Sequence, residues 1–197
     1  MAKGPSYRVP YRRRREYKTN YKRRRSLATS RMPRLVVRTS GRHILVQLVR
    51  SEIEGDHIVT QTSSGELVKK FDWRGGTKNT QSAYLLGLIA GHKAAHGGVK
   101  TAILDIGLSS PTKGSRMFAV ARGALDAGLE VPCDSDVMPV PERIEGAQVA
   151  AYAKRLQETP PEYERRFSGY LKRKLRPEEV VEHFRETKAR ITEEFSG

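Results

Sequence analysis

From Pro33 onward the chain alternates apolar and polar residues in short, β-branched runs. PRLVVRTS (33–40) and HILVQLVR (43–50) are two such runs, and Ser40-Gly41 at their junction suits a tight hairpin turn. On the second strand Ile44, Val46 and Leu48 share one face, while His43, Leu45, Gln47 and Val49 share the other. A third run, HIVTQTS (57–63), follows a turn around Gly55-Asp56, so the three strands predict an antiparallel meander. The period then switches. Between Asn79 and about His96, Leu85, Leu88 and Ile89 recur at helical spacing, with Asn79 placed as N-cap. Ala83, Gly87, Gly91 and Ala95 repeat every fourth residue on this helix. An interior glycine costs a helix about 1 kcal/mol, and close approach of the helix to a sheet is the expected return. TAILDIG (101–107) predicts a strand, Ser115–Ala127 a second helix closed by Gly128, and Leu129–Val131 a last short strand. The pattern predicts an α/β fold: a mixed five-stranded sheet flanked by helices.

Two different regimes flank this unit. Pro132, Pro139 and Pro141 break regular structure, and helical candidates follow at 142–156, 160–174 and 177–192. Pro160 and Pro177 occupy first-helical positions, and Glu178 and Glu179 suit the positive end of the last helix. On the other side, the first 30 residues hold only Met1, Val9 and Leu27 as large aliphatics. Such a stretch cannot offset its backbone entropy, roughly 1–2 kcal/mol per residue, and is expected to be mostly disordered alone. Thr19 or Asn20 is positioned to cap a short helix through Tyr21, Arg24, Arg25 and Ala28 once the charges are neutralised. The expected organisation is an arm (1–32), an α/β core (33–135) and a helical extension (136–197), with no repeat at a solenoid period.

Charge changes the picture. The 197 residues carry 37 Lys plus Arg against 22 Asp plus Glu, a formal charge of +15. Residues 1–30 hold 11 basic residues and 1 acidic one, whereas residues 136–197 hold 12 of each. An excess concentrated in one tail points to a polyanionic partner. The single cysteine excludes an intramolecular disulfide framework and an all-Cys zinc site. No run of 18 apolar residues suggests a transmembrane helix, and MAKGPSYRVPYRRRR lacks the apolar stretch of a secretory signal. A cytosolic or nuclear location is expected.

Four tyrosines (Tyr7, Tyr11, Tyr17, Tyr21) are threaded through the basic arm. Arginine forks grip phosphates bidentately and tyrosine rings stack on unpaired bases, so the interleaving favours nucleic acid. A nuclear-localisation run, a solvated tail or a membrane-surface patch are the plainer explanations; the last lacks an apolar face. GGTKNT (75–80) and PTKGSR (111–116) place Gly, Lys and hydroxyl residues before helices, where phosphates bind, but neither is a Walker A motif. Ordinary strand-to-helix turns explain them equally well. His92 and His96 have metal-ligand spacing, yet residue 93 is lysine rather than the glutamate of a zinc protease. Asp105 is the one well-placed acid for a two-metal nuclease; Asp72 and Asp126 are poorly placed, and Cys133 has no nearby histidine. Enzymatic function is not expected.

The motifs together resemble a known family. YRRRREYKTNY, PRLVVRTSGRHILVQ, GGTKNTQSAYLLGLIAG, LDIGLSSPTKGSRMFAVARGALDAGLEVP and VPERIEG are similar to the archaeal form of large-subunit ribosomal protein eighteen. This family is the universal 5S rRNA binder, and its eukaryotic relative is called protein five. The resemblance implies a ribonuclease-H-like topology without catalytic carboxylates, and a structural protein that clamps 5S rRNA into the central protuberance. It further implies contact with large-subunit rRNA and with neighbouring ribosomal proteins, including universal large-subunit protein five, and neither cofactor nor small-molecule substrate. Residues 136–197 look like the archaeal–eukaryotic extension. Their balanced charge argues against an independent RNA clamp, and packing on the core or on a neighbour is expected.

On that footing Arg8, Arg12, Arg13, Arg14, Arg15, Lys18, Lys22, Arg23, Arg24 and Arg25 are expected to neutralise phosphates. Tyr7, Tyr11 and Tyr21 are expected to stack or fill grooves. Arg34, Arg38, Arg42, His43 and Gln47 from the sheet, and Trp73, Lys78, Asn79, Thr80, Lys113 and Arg116 from the loops, are expected to add shape recognition. The rival classes are a general nucleic-acid-coating protein and a metal-dependent nuclease.

Overall fold

A computed structural model describes residues 4–196; the first three residues of the arm and the last residue of the extension lie outside it. Two short helices open the chain, α1 (Arg12–Arg15) and α2 (Tyr21–Thr29). Asn20 caps α2, its Oδ1 accepting from the Arg23 amide at 3.2 Å, as the local sequence anticipates. Neither helix buries a residue, so these two helices add none to the core.

The alternating runs pair as expected. β1 (Arg34–Thr39), β2 (Ile44–Ser51) and β3 (Asp56–Ser63) form the antiparallel meander, with Leu35 opposite Leu48 and Val37 opposite Val46. The chain then turns directly from β3 into α3 (Ser64–Phe71), a helix the sequence reading did not anticipate. Leu67 and Phe71, four apart, bury its inner face, and Asp72 ends it in the left-handed region at φ 51°. After the loop comes α4 (Thr80–His96), held by a full capping box between Asn79 and Ser82. Beyond it, β4 (Ile103–Asp105) lies parallel to β1, giving the order β3-β2-β1-β4. The expected fifth strand is not part of this sheet. Leu129–Val131 contributes one parallel bridge, Thr101 to Glu130, and Pro132 carries no N–H with which to extend the ladder. Among the described residues four strands pair in a mixed sheet flanked by helices, one fewer than the sequence pattern predicts.

The second helix of the core, α5 (Arg116–Asp126), lies on α4. A Cβ added to Gly87 would come within 2.1 Å of the Val120 carbonyl oxygen, and one on Gly123 within 2.1 Å of the Tyr84 carbonyl oxygen. The α4 glycines therefore serve a helix-to-helix approach, not the expected approach to a sheet. Ala83, Leu85, Leu86, Ile89 and Ala90 also sit buried on α4, so nearly its whole circumference is covered.

The first helical candidate of the extension is split. α6 (Pro141–Glu145) and α7 (Ala147–Leu156) meet at Gly146, which has φ 87° and leaves room for the Gln81 side chain, whose Nε2 donates to the Glu145 carbonyl at 2.9 Å. α8 (Pro160–Leu171), a 3-10 turn (Pro177–Glu179) and α9 (Val180–Ser196) complete the chain. Ile144, Phe184 and Ile191 join Leu35, Trp73 and Leu85 in one hydrophobic cluster, so the extension packs on the core. None of the described helices is long and apolar enough to cross a membrane.

Candidate nucleic-acid interface

Hydration and mutual repulsion keep the arm's cations at the surface. Arg8, Arg12 to Arg15, Lys18 and Lys22 to Arg25 are all exposed. Among the described residues only two of them have carboxylate partners: Lys18 with Glu16, and Arg24 with Asp56, both at 2.8 Å. Arg13 folds the arm back on itself, its Nε donating to Thr19 Oγ1 at 2.8 Å. Tyr11 and Tyr21 tilt together with ring centroids 6.1 Å apart, Tyr11 being 79% exposed, and Tyr7 is also exposed.

Between the arm and the rim of the sheet lies a cleft of about 940 Å³. Arg13, Lys18, Lys22 and Arg23 line its arm side; Arg38 and the loop from Ile106 to Ser109 line the other. Its floor is a network of charges. Arg34 is 2% exposed, with Nη1 at 3.1 Å from Asp105 and Nη2 at 2.6 Å from Asp56. Arg38 reaches Asp105 from the other side at 3.0 Å and donates a second bond to the Asp105 carbonyl at 2.8 Å. Burial alone would raise the Asp56 pKa, but the Arg34 and Arg24 guanidiniums outweigh it and hold the carboxyl below its ordinary value. Asp56 thus ties the arm to the core through Arg24. Nothing in the sequence reading singled it out, although an acid in a hairpin facing a cationic helix is the one available signal.

Two expected contacts are corrected by this geometry. Arg34 is engaged inside the fold, where two carboxylates compensate a buried cation, so its guanidinium serves the floor of the cleft rather than an exposed phosphate contact. Trp73 is 1% exposed: its ring packs under Gly75, donates from Nε1 to the Gly76 carbonyl at 3.0 Å and stacks on His183 at 5.2 Å. The glycines of GGTKNT therefore accommodate an indole. Asp105, the one acid a nuclease reading had, is occupied by two arginines.

A second cationic cluster forms where three loops meet at one end of the sheet. Thr77 Oγ1 donates to the Arg42 carbonyl at 2.7 Å, Lys78 Nζ to the Gly41 carbonyl at 3.3 Å, and Arg116 Nη1 to the Lys78 carbonyl at 2.9 Å. These bonds bring Arg42, Lys78 and Arg116 together; Arg42 is exposed, as is Lys113, three positions before Arg116 in the chain. His43 is exposed beside them, its Nδ1 3.3 Å from Ser64 Oγ. Asn79 is engaged as a cap, with Oδ1 on the Ser82 amide and Nδ2 on Gln81, and Thr80 starts the helix half-buried. Gln47 pairs with Gln61 across the sheet at 3.3 Å. His92 and His96 stack around Phe195, and no group of three metal-ligating side chains converges among the described residues.

A family model described as "Ribosomal large subunit proteins 60S L5, and 50S L18" matches residues 5–97 and 92–134. Over all 197 residues the chain is 50% identical to large ribosomal subunit protein uL18 of Caldivirga maquilingensis, covering 95% of that protein. The chain belongs to the uL18 family. As a member it is a structural component of the large ribosomal subunit, a ribonucleoprotein of translation, with rRNA and ribosomal proteins around it. The family model ends at residue 134, ahead of α6 to α9, while the Caldivirga uL18 matches through them as well.

Proposed function

We propose that this uL18-family protein binds 5S rRNA and fastens it to large-subunit rRNA in the central protuberance of cytoplasmic ribosomes, beside universal large-subunit protein five. The observation that carries the reading is the arm: ten exposed cations on and around two short helices, eight of them without a carboxylate partner among the described residues, standing over an open cleft. Unpaired guanidiniums of this kind take phosphate oxygens in bidentate fashion. A-form RNA hides its deep groove, so recognition relies on shape, unpaired loops and 2′-hydroxyls. The exposed tyrosines stack on unpaired bases, and the loop cluster of Arg42, Lys78 and Arg116, with exposed Lys113 on the loop leading to Arg116, fixes the orientation of the core. The protein works by binding rather than by catalysis: Asp105 holds two arginines, an arrangement that supports a scaffold.

Filter binding of 5S rRNA across salt concentrations tests the reading. If the arm neutralises about 6–10 phosphates, affinity falls by roughly 10³–10⁵ between about 50 and 200 mM salt. A flat salt dependence overturns it. Equal competition by the same mass of duplex DNA would favour a general coating protein. A protein starting at residue 33 that captured 5S rRNA as tightly as the full chain would remove the arm from the mechanism.

A further inference from the structure

The extension's charge is balanced in number but not in space. Between positions 165 and 176 stand Arg165, Arg166, Lys172, Arg173, Lys174 and Arg176, with no acid among them. All six are exposed, and none forms an ion pair with a described carboxylate. The nearest following acid, Glu178, is occupied by the Tyr163 hydroxyl at 3.0 Å and by Gln157 Nε2 at 2.9 Å. A spacing of seven sets Arg165 in line with Lys172 and Arg166 in line with Arg173, on one side of α8 and the turn that ends it.

From this we infer that α8 and the turn after it form a second phosphate-gripping face, which holds a stretch of A-form RNA duplex other than the RNA held by the arm. The inference rests on the reading that the arm engages 5S rRNA. The face is built on a firm base. Phe167 is buried with the rings of Tyr152, Tyr163 and Tyr170 around it, and Leu175 and Val180 pack with Ala150 in a cluster of their own. Attraction of cations to a helix C-terminus accounts for Lys172 and Lys174, but not for Arg165 and Arg166 in mid-helix. Continuity with the loop cluster favours RNA over an acidic protein. Arg173 Nε donates to the Arg74 carbonyl at 2.6 Å, and Tyr170 lies against Gly76 and Asn79, so the face runs into the loop that carries Lys78. α8 has 12 residues, and a helix of that length spans about 18 Å, enough to follow several successive phosphates.

The test uses the full chain saturated with 5S rRNA and a labelled RNA duplex of about 20 base pairs. The variant is R165Q/R166Q/K172Q/K174Q/R176Q; Arg173 stays because it anchors α8 to Arg74. Expected are unchanged 5S affinity within about twofold, duplex affinity at least about tenfold weaker, and a salt slope for the duplex smaller by about 5. Undiminished duplex binding overturns the inference, as does a loss of 5S affinity equal to the loss for duplex. Stronger displacement of the labelled duplex by polyglutamate than by unlabelled duplex also overturns it, assigning the face to an acidic protein. If the wild-type chain fails to bind 5S rRNA, the earlier reading fails, while the duplex comparison on the free protein still decides this one. Should the melting temperature of the fivefold variant fall, R165Q/R166Q, confined to an exposed face, gives the same comparison with a slope change of about 2.

Discussion

Arg34 and Asp105, 71 positions apart in the chain, meet at 3.1 Å across the parallel pair β1–β4 with both side chains buried. Placing two charges out of water costs several kcal/mol each, and their attraction repays it only with well-placed partners. Here Asp105 also takes Arg38, and Arg34 also takes Asp56. The weak point of the arrangement is the loss of one member. Asp105→Ala leaves the Arg34 guanidinium inside the fold with only Asp56 beside it, and is expected to cost about 3–5 kcal/mol in urea denaturation. A loss below about 1 kcal/mol would mean that water reaches Arg34 and that the pair contributes little.

The extension is latched to the core by a histidine that must be neutral. His183 Nε2 accepts the Arg74 amide hydrogen at 3.0 Å while its ring stacks on Trp73. Burial depresses its pKa; Glu186 and Asp72 push the other way, and Arg74 and Arg190 reinforce the depression. A histidine harder to protonate in the fold than in the unfolded chain gives stability that is complete above the unfolded value. That stability is lost as pH falls through about 6.5 toward the folded value. Melting temperature is therefore expected to fall between about pH 7.5 and 5.5 more steeply in the wild type than in His183→Phe. The phenylalanine keeps the stack but loses the acceptor, so it starts lower by about 1 kcal/mol. Parallel curves would remove the latch.

Two backbones touch where α4 crosses α5. Alanine is the better helix former by about 1 kcal/mol, so propensity alone would make Gly87→Ala stabilising. The added methyl would lie 2.1 Å from a carbonyl oxygen that belongs to backbone and cannot rotate away. Separation of the helices and loss of surrounding contacts should dominate, at about 1–3 kcal/mol or more destabilising. An increase in stability would show that the two helices are not in register as described.

What the sequence disclosed follows the range of the physics. The hairpin at Ser40-Gly41, the Asn20 and Asn79 caps and the bounds of α5 depend on residues within a turn of one another, and each appears where local chemistry puts it. α3 was within reach of the same reasoning, through Leu67 and Phe71, but its eight residues give too little period to stand out from the strand before it. Trp73 and Arg34, which the resemblance assigns to shape recognition of RNA, are instead buried. Their burial is decided by His183 and Asp105, 110 and 71 positions away, which no window of sequence brings together. The basic face on α8 was hidden differently: a net count of zero over 62 residues averages over acids that stand at its ends.

Exposed and buried arginines of the same strand-and-arm region should separate cleanly in one experiment. Arg12 to Arg15 have no carboxylate partners among the described residues and bury nothing, so replacing all four by glutamine leaves the melting temperature unchanged. Each phosphate contact removed lowers the salt slope of RNA binding by about 1, so the fourfold variant should lose up to about 4 from the slope. Arg34→Met removes a buried cation whose carboxylate partners among the described residues are Asp56 and Asp105. It frees two buried or half-buried carboxylates and should destabilise the fold, with the salt slope unmoved at temperatures where the protein stays folded. A slope that drops for Arg34→Met and not for the arm variant would reverse the roles of floor and arm, and would place the phosphate in the cleft instead of along the helices.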